Sequence, residues 1–269
     1  GVTVPTVSSG PAWAERARFS ILIHLDEKRA VEYATQGYEK PRGNMLRRHV
    51  GQAIAEAGDK EGVKLSSETY LFGAQSLDNH ILDLNKRGHT VEQTRLAVMR
   101  LRAAGFKLHL HWMPNLLGAT PESDLADFEK LWSDPGLRPD ELKIYPCSLV
   151  REAELVKWWE RGEYRPYTDD ELVGLLAECK VGTPKYVRLN RIIRDIPAGH
   201  VVAGSTASNL REVVKKRMKE EGRECQCIGC REVRGEKVTR CKAIEALEYE
   251  TTGGREVFLS ADTETGKLA

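Results

Sequence analysis

The chain has 269 residues, 41 of them Lys or Arg and 40 Asp or Glu, which leaves a formal net charge of only +1 at pH 7. This length can bury one large core, or a medium core with an appended module, and the near-neutral balance excludes a polycation. No apolar run approaches the roughly 20 residues of a membrane span, no secretory signal pattern is present, and six cysteines do not make a disulfide framework. We therefore expect a soluble protein of the reducing cytoplasm, with no membrane partner.

The charges are unevenly distributed along the chain. Residues 185–240 carry 14 Lys or Arg against 7 Asp or Glu, whereas the remaining residues carry 27 against 33. A basic third on an acidic body indicates a polyanionic partner at one face. A solvated helix surface explains such a run equally well.

Helix and strand patterns alternate in the middle of the chain. The first 60 residues give one clear element, a helix at the end of 37–58. A second helix begins at Thr90, which forms a capping-box pattern with Gln93, and ends at Gly105. The following elements are a strand at 106–113, a helix at 121–132, a strand at 142–146, helices at 149–162 and 168–180, and a strand at 185–197.

Repeated strand–helix units over residues 65–197 favour a parallel α/β sheet that forms part of a (β/α) barrel. In such barrels the functional side chains lie at the carboxyl ends of the strands. The candidates at these positions are His111, Met113, Asn115, Tyr145 and Arg194.

The pattern changes after Pro197. A strongly basic helix is predicted at 208–222, followed by a cysteine cluster and by two strand-like runs around Thr-Thr-Gly-Gly, which is typical of a hairpin. Because an isolated hairpin is marginal in water, we expect the tail to begin a further domain. The predicted organisation is a barrel-like domain at 1–200, a basic helix and linker at 201–241, and the new domain at 242–269.

The cysteine cluster contains Cys225, Cys227 and Cys230 within six residues. Zn²⁺ takes four ligands in a tetrahedron, so three thiolates from one turn leave one ligand to be supplied by Cys241 or His200. A closed site would be structural and an open one catalytic. An iron–sulfur cluster also uses thiolates, and reduced, unliganded thiols are the remaining alternative. The tight spacing beside a domain change favours structural zinc.

Six phrases occur in a fixed order: LNKRGHTVEQ, FKLHLHWMPNLLGA, LKIYP, WWERGEYRPYTDDE, YVRLNRIIRDIP and CQCIGCREVRG. Together they resemble the catalytic subunit of the elongator complex, a family of radical S-adenosylmethionine tRNA-modifying enzymes. The resemblance covers residues 63 to about 266. It implies a partial radical-SAM-type (β/α) barrel, then a zinc-binding linker, then the start of an acetyltransferase-like α+β domain.

The resemblance also implies an activity. In this family a 4Fe–4S cluster cleaves S-adenosylmethionine, and acetyl-CoA serves as co-substrate for carboxymethylation at C5 of the wobble uridine of tRNA. The expected partners are tRNA and either other elongator-type subunits or a second copy of the chain. Zinc is expected between the two domains.

Site residues follow from the matching motifs. His111, Lys143 and Tyr145 would be catalytic and line the barrel mouth, with Lys143 and Tyr145 on one strand face, while Gln75 and Ser76 would approach S-adenosylmethionine. Packing, solvent exposure and strand-end hydrogen bonds are the plain alternatives for these five. The expected tRNA contacts are Arg188, Arg191, Arg194, Lys215, Lys216, Arg217 and Lys219, with pairing to nearby carboxylates as the alternative. A regular strand would place Arg188 and Arg194, but not Arg191, on one face.

The sequence departs from the family pattern in one important respect. The family carries its cluster-binding cysteines early in the barrel, and here no cysteine precedes Cys147. Either the chain is a degenerate relative, or it joins parts of a longer chain, which a tail that stops one hairpin into a new domain favours. The alternative function is a non-catalytic, zinc-stapled tRNA-binding protein without the iron–sulfur cluster.

Overall fold

A computed structural model describes residues 71–103, 106–192, 196, 198–207, 209–234, 242, 244–252 and 254–268. The predicted helix within 37–58 lies outside these residues, as do Arg194 and Cys241. None of the described helices is both long and apolar enough to cross a membrane.

The described part is an α/β fold built on a four-stranded parallel sheet with strand order β1–β2–β3–β5. These strands are β1 Leu71–Gln75, β2 His109–Trp112, β3 Glu141–Ile144 and β5 Arg188–Ile192. The short strands β4 Leu149–Val150 and β6 Val201–Ala203 pair antiparallel, as do β7 Glu245–Thr251 and β8 Gly254–Ser260.

Helices connect and cover the strands. Their bounds are α1 Asn79–Leu84, α2 Val91–Ala103, α3 Pro121–Ser133, α4 Val156–Glu160, α5 Asp169–Val181, α6 Leu210–Glu220 and α7 Ile228–Arg231, with a 3₁₀ turn at Ala198–His200. Helices α2, α3, α5 and α6 confirm the predicted positions. Thr90, Thr120 and Thr168 cap three of them, each accepting a backbone N–H three residues later.

The two faces of the parallel sheet differ in polarity. Leu110, Trp112, Leu142 and Ile144 are fully buried and belong to the core that the helices cover. Because side chains alternate along a strand, the intervening residues project from the opposite face. That opposite face, which we call the polar face, carries His109, His111, Glu141, Lys143 and Asn190.

One predicted helix is wrong in extent. The segment 149–162 begins as strand β4, and the helix within it is only α4, Val156–Glu160. Leu149 is fully buried against Leu117 and Tyr164, and its neighbour Val150 pairs with Val201. These contacts with distant segments override the helical propensity of the local sequence.

The predicted hairpin is confirmed as β7 and β8, with Thr251 opposite Gly254 at the turn. It packs on the barrel-like unit instead of standing alone. The Tyr249 ring stacks on Tyr186 with centroids 3.8 Å apart, and Glu256 lies 3.3 Å from Arg102. These contacts supply the support that an isolated hairpin lacks in water.

Candidate functional site

His111 and Tyr145 meet at the carboxyl ends of the two central strands. Their rings form an edge-to-face pair with centroids 4.6 Å apart. Lys143 precedes Tyr145 by two residues and pairs in register with His111. The structure therefore brings together the three residues that the motifs nominate as catalytic, at the edge of the sheet where parallel α/β folds bind ligands.

The His111 imidazole is neutral at physiological pH. Burial lowers its pKa to about 4, and the positive charges of Arg87 and Lys143 act in the same direction. Its buried Nε2 atom has no hydrogen-bond partner among the described residues. A neutral ring with an unpartnered nitrogen can accept or donate one further hydrogen bond.

A second histidine, His109, lies two residues earlier on the polar face. His109 Nδ1 is 3.3 Å from a Glu141 carboxylate oxygen, and Asn190 donates to the same oxygen at 2.7 Å. Burial lowers the pKa of His109 to about 4, with Lys143 as the second cause. This cluster places hydrogen-bond donors and acceptors on strands β2, β3 and β5 of the polar face. The motifs did not identify these residues as functional candidates.

Gln75 and Ser76 end strand β1 in different ways. Gln75 has a positive φ of 60°, and its side chain lies over Gly73, where a Cβ would come within 2.8 Å of the amide nitrogen. Ser76 is buried and donates its hydroxyl to Asp127 on the helix side. The Ser76 hydrogen bond is therefore an ordinary hydrogen bond at the end of a strand, which was the plain alternative for this residue. Gln75 lies beside Gly73. Their expected role near S-adenosylmethionine stays a prediction.

Arg87 is a functional candidate that motif reading missed. Its Nη2 lies 2.9 Å from the sulfur of Met113, and its Nε is buried with no hydrogen-bond partner among the described residues. Burial lowers its pKa. The signal in the sequence was the glycine that follows Arg87. Gly88 has a φ of 70°, and the turn at this position lies where Arg87 reaches Met113, just after β2.

Asn115 organises the loops at the same edge. It is buried with a φ of 67°, its backbone N–H donates to Asp124 at 2.7 Å, and its carbonyl accepts from Tyr164. Tyr167 donates its hydroxyl to Asp124 at 2.7 Å. Burial raises the pKa of Asp124 to about 7, despite these hydrogen bonds. The loops behind His111 are therefore held by a buried polar network.

The arginines of strand β5 depart from the regular alternation expected for them. The register shifts so that Leu189 pairs with Leu142 but Arg191 pairs with Lys143. This bulge at Asn190 places Arg188 and Arg191 on the same face of the sheet. The expected difference in parity applied to a regular strand, and β5 is not regular. Arg188 forms an ion pair with Glu232 at 2.5 Å, and Arg191 is exposed.

Three of the four basic residues proposed on α6 are ion-paired. Arg217 contacts both Asp170 and Glu221, at 2.6 and 2.8 Å. Lys215 pairs with Glu212 at 3.3 Å and Lys216 with Glu220 at 3.9 Å. Lys219 is exposed, with no carboxylate partner among the described residues. An RNA phosphate would have to replace several of these pairs, which are exposed and individually weak.

The cysteines Cys225, Cys227 and Cys230 form a compact triad. Their sulfur atoms lie within 4.8 Å of one another, and Cys227 is fully buried. Among the described residues this is the only group with metal-ligand composition and geometry, and exposed His200 is not part of it. Hydrogen bonds from Cys225 and Cys227 lower the pKa of Cys230, and positive charges nearby act in the same direction.

The triad lies at the opposite edge of the sheet from His111. Ile228 donates its backbone N–H to Val187, and Arg231 donates to the carbonyl of Lys185 at 2.8 Å. Both acceptors precede strand β5, so the turn sits at the amino end of that strand. In barrels this edge serves stability and the carboxyl edge serves catalysis. The position therefore favours a structural metal.

The three thiols of the triad fit zinc better than an iron–sulfur cluster. Three clustered thiols suit Zn²⁺ and leave a fourth position, for which Cys241 stays a prediction. No cysteine precedes Cys147 in this sequence, so the residues present do not supply the cluster that the family uses.

Comparisons with known proteins agree with this arrangement. The model of the Radical SAM C-terminal domain matches residues 139–220. A tRNA uridine(34) acetyltransferase from Methanocaldococcus jannaschii is 41% identical over 217 residues, which are 76% of this chain and 39% of that protein. Human Elongator complex protein 3 is 34% identical over 70% of this chain and 36% of its own length.

A solved structure extends the match to three dimensions. The archaeal Elp3 of Methanocaldococcus infernus, with residues 1–46 deleted, has a TM-score of 0.71 and 36% identity, covering 82% of this chain and 52% of that one. Over the matched residues, this chain is a homologue of proteins named tRNA uridine(34) acetyltransferase and Elongator complex protein 3. Both the motif-based resemblance and the predicted fold class are confirmed. The chain spans less than half the length of the curated relatives it matches.

Proposed function

We propose that this chain forms the barrel and linker of an elongator-type enzyme that modifies the wobble uridine of tRNA. The proposed reaction is carboxymethylation at C5, dependent on acetyl-CoA and S-adenosylmethionine. One observation carries the proposal. A polar face ends in His111, Lys143 and Tyr145 at the carboxyl edge of the sheet, in a chain whose relatives bear the name tRNA uridine(34) acetyltransferase.

The proposed roles follow from the chemistry of each group. Neutral His111 would form one hydrogen bond through its unpartnered Nε2. Lys143 would bind a carboxylate or phosphate, since an ammonium on a half-buried strand face needs an anionic partner. Tyr145 would orient the His111 ring. Gln75 and Ser76 would lie near S-adenosylmethionine. Of the two, Gln75 has its side chain over Gly73.

Recognition of tRNA is proposed to use the basic third of the chain. The residues concerned are Arg188, Arg191, Arg194, Lys215, Lys216, Arg217 and Lys219. Arg188 and Arg191 share one sheet face, which supports a common RNA-facing surface. Other elongator-type subunits or a second copy of the chain would be further partners.

The domain organisation is also a proposal. The barrel-like unit would span 1–200, the linker 201–241, and an acetyltransferase-like domain would begin at 242–269. Val257 and Leu259 project from one side of strand β8 and are 48% and 64% exposed. Two apolar side chains on one strand face fit a further layer of such a domain. The free thiols of the described cysteines fit a reducing, cytoplasmic compartment.

The test is nucleoside analysis of tRNA. The full protein containing this chain would be incubated anaerobically with tRNA, S-adenosylmethionine, acetyl-CoA and a reductant, and the wobble nucleoside analysed by mass spectrometry. We expect a carboxymethyluridine product from the wild type and a loss of about a hundredfold or more in His111→Ala, the lower end of what a positioned acid–base group contributes. Trp159→Ala is the control, since Trp159 is exposed on helix α4 and is not part of the polar face. Absence of product from the wild type would contradict the proposal.

A second candidate is supported by the missing early cysteines. A non-catalytic relative would keep the zinc staple and bind tRNA without radical chemistry. Iron analysis of the anaerobically purified protein separates the two. Stoichiometric iron supports the enzyme, whereas tRNA binding with zinc but no iron supports the non-catalytic relative.

A further inference from the structure

Lys180 is a lysine in a core position. It follows Leu172 and Leu176 at intervals of four residues along α5, and all three side chains are buried, Lys180 completely. Residues at this spacing lie on one face of a helix, so the apolar stripe of α5 ends in an ammonium group. Burial of an unpaired charge is strongly unfavourable, and this lysine therefore needs an anionic partner.

The partner lies in the cysteine triad. Lys180 Nζ is 3.5 Å from the sulfur of Cys230, and no carboxylate of the described residues forms an ion pair with it. A neutral thiol is a weak acceptor and does not compensate a buried cation. A thiolate does so, and a Zn²⁺ ion held by three or four thiolates keeps a net negative charge.

A second cation completes the surroundings. Arg211 at the start of α6 brings its guanidinium to 3.6 Å from where a Cβ on Gly229 would lie, inside the turn that carries the triad. It also donates to the carbonyl of Asn190. That hydrogen bond orients Arg211 toward strand β5. Lys180, in contrast, lies in direct contact with a sulfur atom.

We propose that Lys180 is the positioning residue of the thiolate metal centre: its ammonium balances the charge of the centre and ties it to the barrel helix α5. The inference rests on the proposed zinc site. The affinity of the linker for zinc would then depend on Lys180, which lies on helix α5 of the barrel. Loss of this contact would weaken metal binding without removing a ligand.

The test compares metal affinity in matched variants of the full protein. Lys180→Met removes the charge and keeps the length, Lys180→Arg keeps a charge, and Lys157→Met removes an exposed lysine from α4. Competition with a chromogenic chelator should give a zinc Kd raised about 10–100-fold in Lys180→Met, the usual cost of losing a group that supports a metal ligand. Lys180→Arg should lose less, and Lys157→Met nothing.

Two further readouts separate this role from packing. In cobalt-loaded protein, Lys180→Met should shift the sulfur-to-cobalt charge-transfer bands, because one thiolate has lost its hydrogen bond. Thermal unfolding should show that Lys180→Met costs more stability with zinc than without it, because weaker zinc binding also reduces the stabilisation that the bound metal provides. A packing role alone predicts the same loss in both states.

Unchanged zinc affinity and unchanged cobalt bands in Lys180→Met would overturn the proposal. If that variant does not fold, Lys180→Gln, which keeps a donor without the charge, gives the same decision. A wild-type protein that binds neither zinc nor cobalt would instead contradict the metal site itself.

Discussion

The rings of His111 and Tyr145 lie edge to face, 4.6 Å between centroids, across the two central strands of the parallel sheet. Each ring therefore limits the rotation of the other. Because the Nε2 atom of His111 is buried and has no partner among the described residues, the pair presents one oriented, unpaired nitrogen at the carboxyl edge. Under the proposed function, a bound substrate or cofactor would supply the missing partner of this nitrogen.

The depressed pKa of His111 predicts a pH dependence of stability. The unfolded chain takes up a proton near pH 6.5, whereas the folded protein does not until about pH 4. The contribution of His111 to the free energy of unfolding therefore falls as the pH is lowered from 6.5 to 4. His111→Phe keeps a ring against Tyr145 and should flatten this dependence in urea unfolding curves.

A matched change checks the cause. His109 has its pKa lowered to about 4 as well, chiefly by burial. The double variant with phenylalanine at both positions should therefore remove about twice as much pH dependence as either single variant. A wild-type midpoint of the His111 carbon signals near pH 6.5, measured by NMR titration, would contradict the prediction.

Asp124 predicts a dependence of opposite sign. Its pKa rises from an ordinary value of 3.8 to about 7, mainly through burial. Between these two values the folded state holds a proton that the unfolded state has lost, so stability falls as the pH rises from about 4 to 7. Asp124→Asn keeps an oxygen that can accept from Asn115 and Tyr167. It should abolish this fall while changing the stability at pH 4 little.

The measurement is the free energy of unfolding in urea at several pH values. Asp134→Asn is the control, since Asp134 forms an ion pair with Arg95 away from this network. A fall in stability from pH 4 to 7 that persists in Asp124→Asn would assign the effect to another group.

Local features of the fold were predictable because their causes are local. Thr90, Thr120 and Thr168 start helices through hydrogen bonds that reach only three residues ahead. The strand around 106–113 was placed correctly, but β2 covers only His109–Trp112, since neighbouring strands decide how far the ladder extends.

Contacts between distant segments were not predictable from the sequence. Arg87 meets Met113 across 26 residues, and Lys180 meets Cys230 across 50. Propensity and motif spacing do not encode such pairs. One signal was available: Lys180 interrupts an apolar stripe at helical spacing, which marks a buried charge in need of a partner.

The buried ion pair between Arg231 and Asp262 predicts how the hairpin segment is held. Both side chains are at most 10% exposed and 3.3 Å apart. Arg231→Met would leave Asp262 buried and unpaired, which should lower the free energy of unfolding by about 3–5 kcal/mol. The double variant Arg231→Met/Asp262→Leu should recover most of this loss, because neither charge then remains buried.

An exposed pair in the same hairpin is the control. Arg255 and Glu248 lie 2.8 Å apart with side chains 61% and 52% exposed. Arg255→Ala should change stability by no more than about 1 kcal/mol. Urea unfolding and limited proteolysis of the tail would measure these effects, and equal losses in Arg231→Met and Arg255→Ala would contradict the assignment.

The ion pairs on α6 predict which basic residues contribute most to RNA binding. Lys219 has no carboxylate partner among the described residues, whereas Arg217 contacts Asp170 and Glu221. A phosphate contact by Lys219 would release counterions without breaking an ion pair. Lys219→Ala should therefore weaken tRNA binding and reduce the salt dependence, the slope of log K against log salt, by about 0.7–0.9.

Arg217→Ala is the matched comparison on the same helix, and its salt dependence should change less, because its pairs already neutralise it. Binding would be measured by fluorescence anisotropy of labelled tRNA at several salt concentrations. The triple variant Lys215/Lys216/Lys219→Ala should show the largest loss of affinity. Unchanged affinity in that triple variant would remove α6 from the RNA-binding surface and leave Arg188 and Arg191 on the sheet face as the contacts to test.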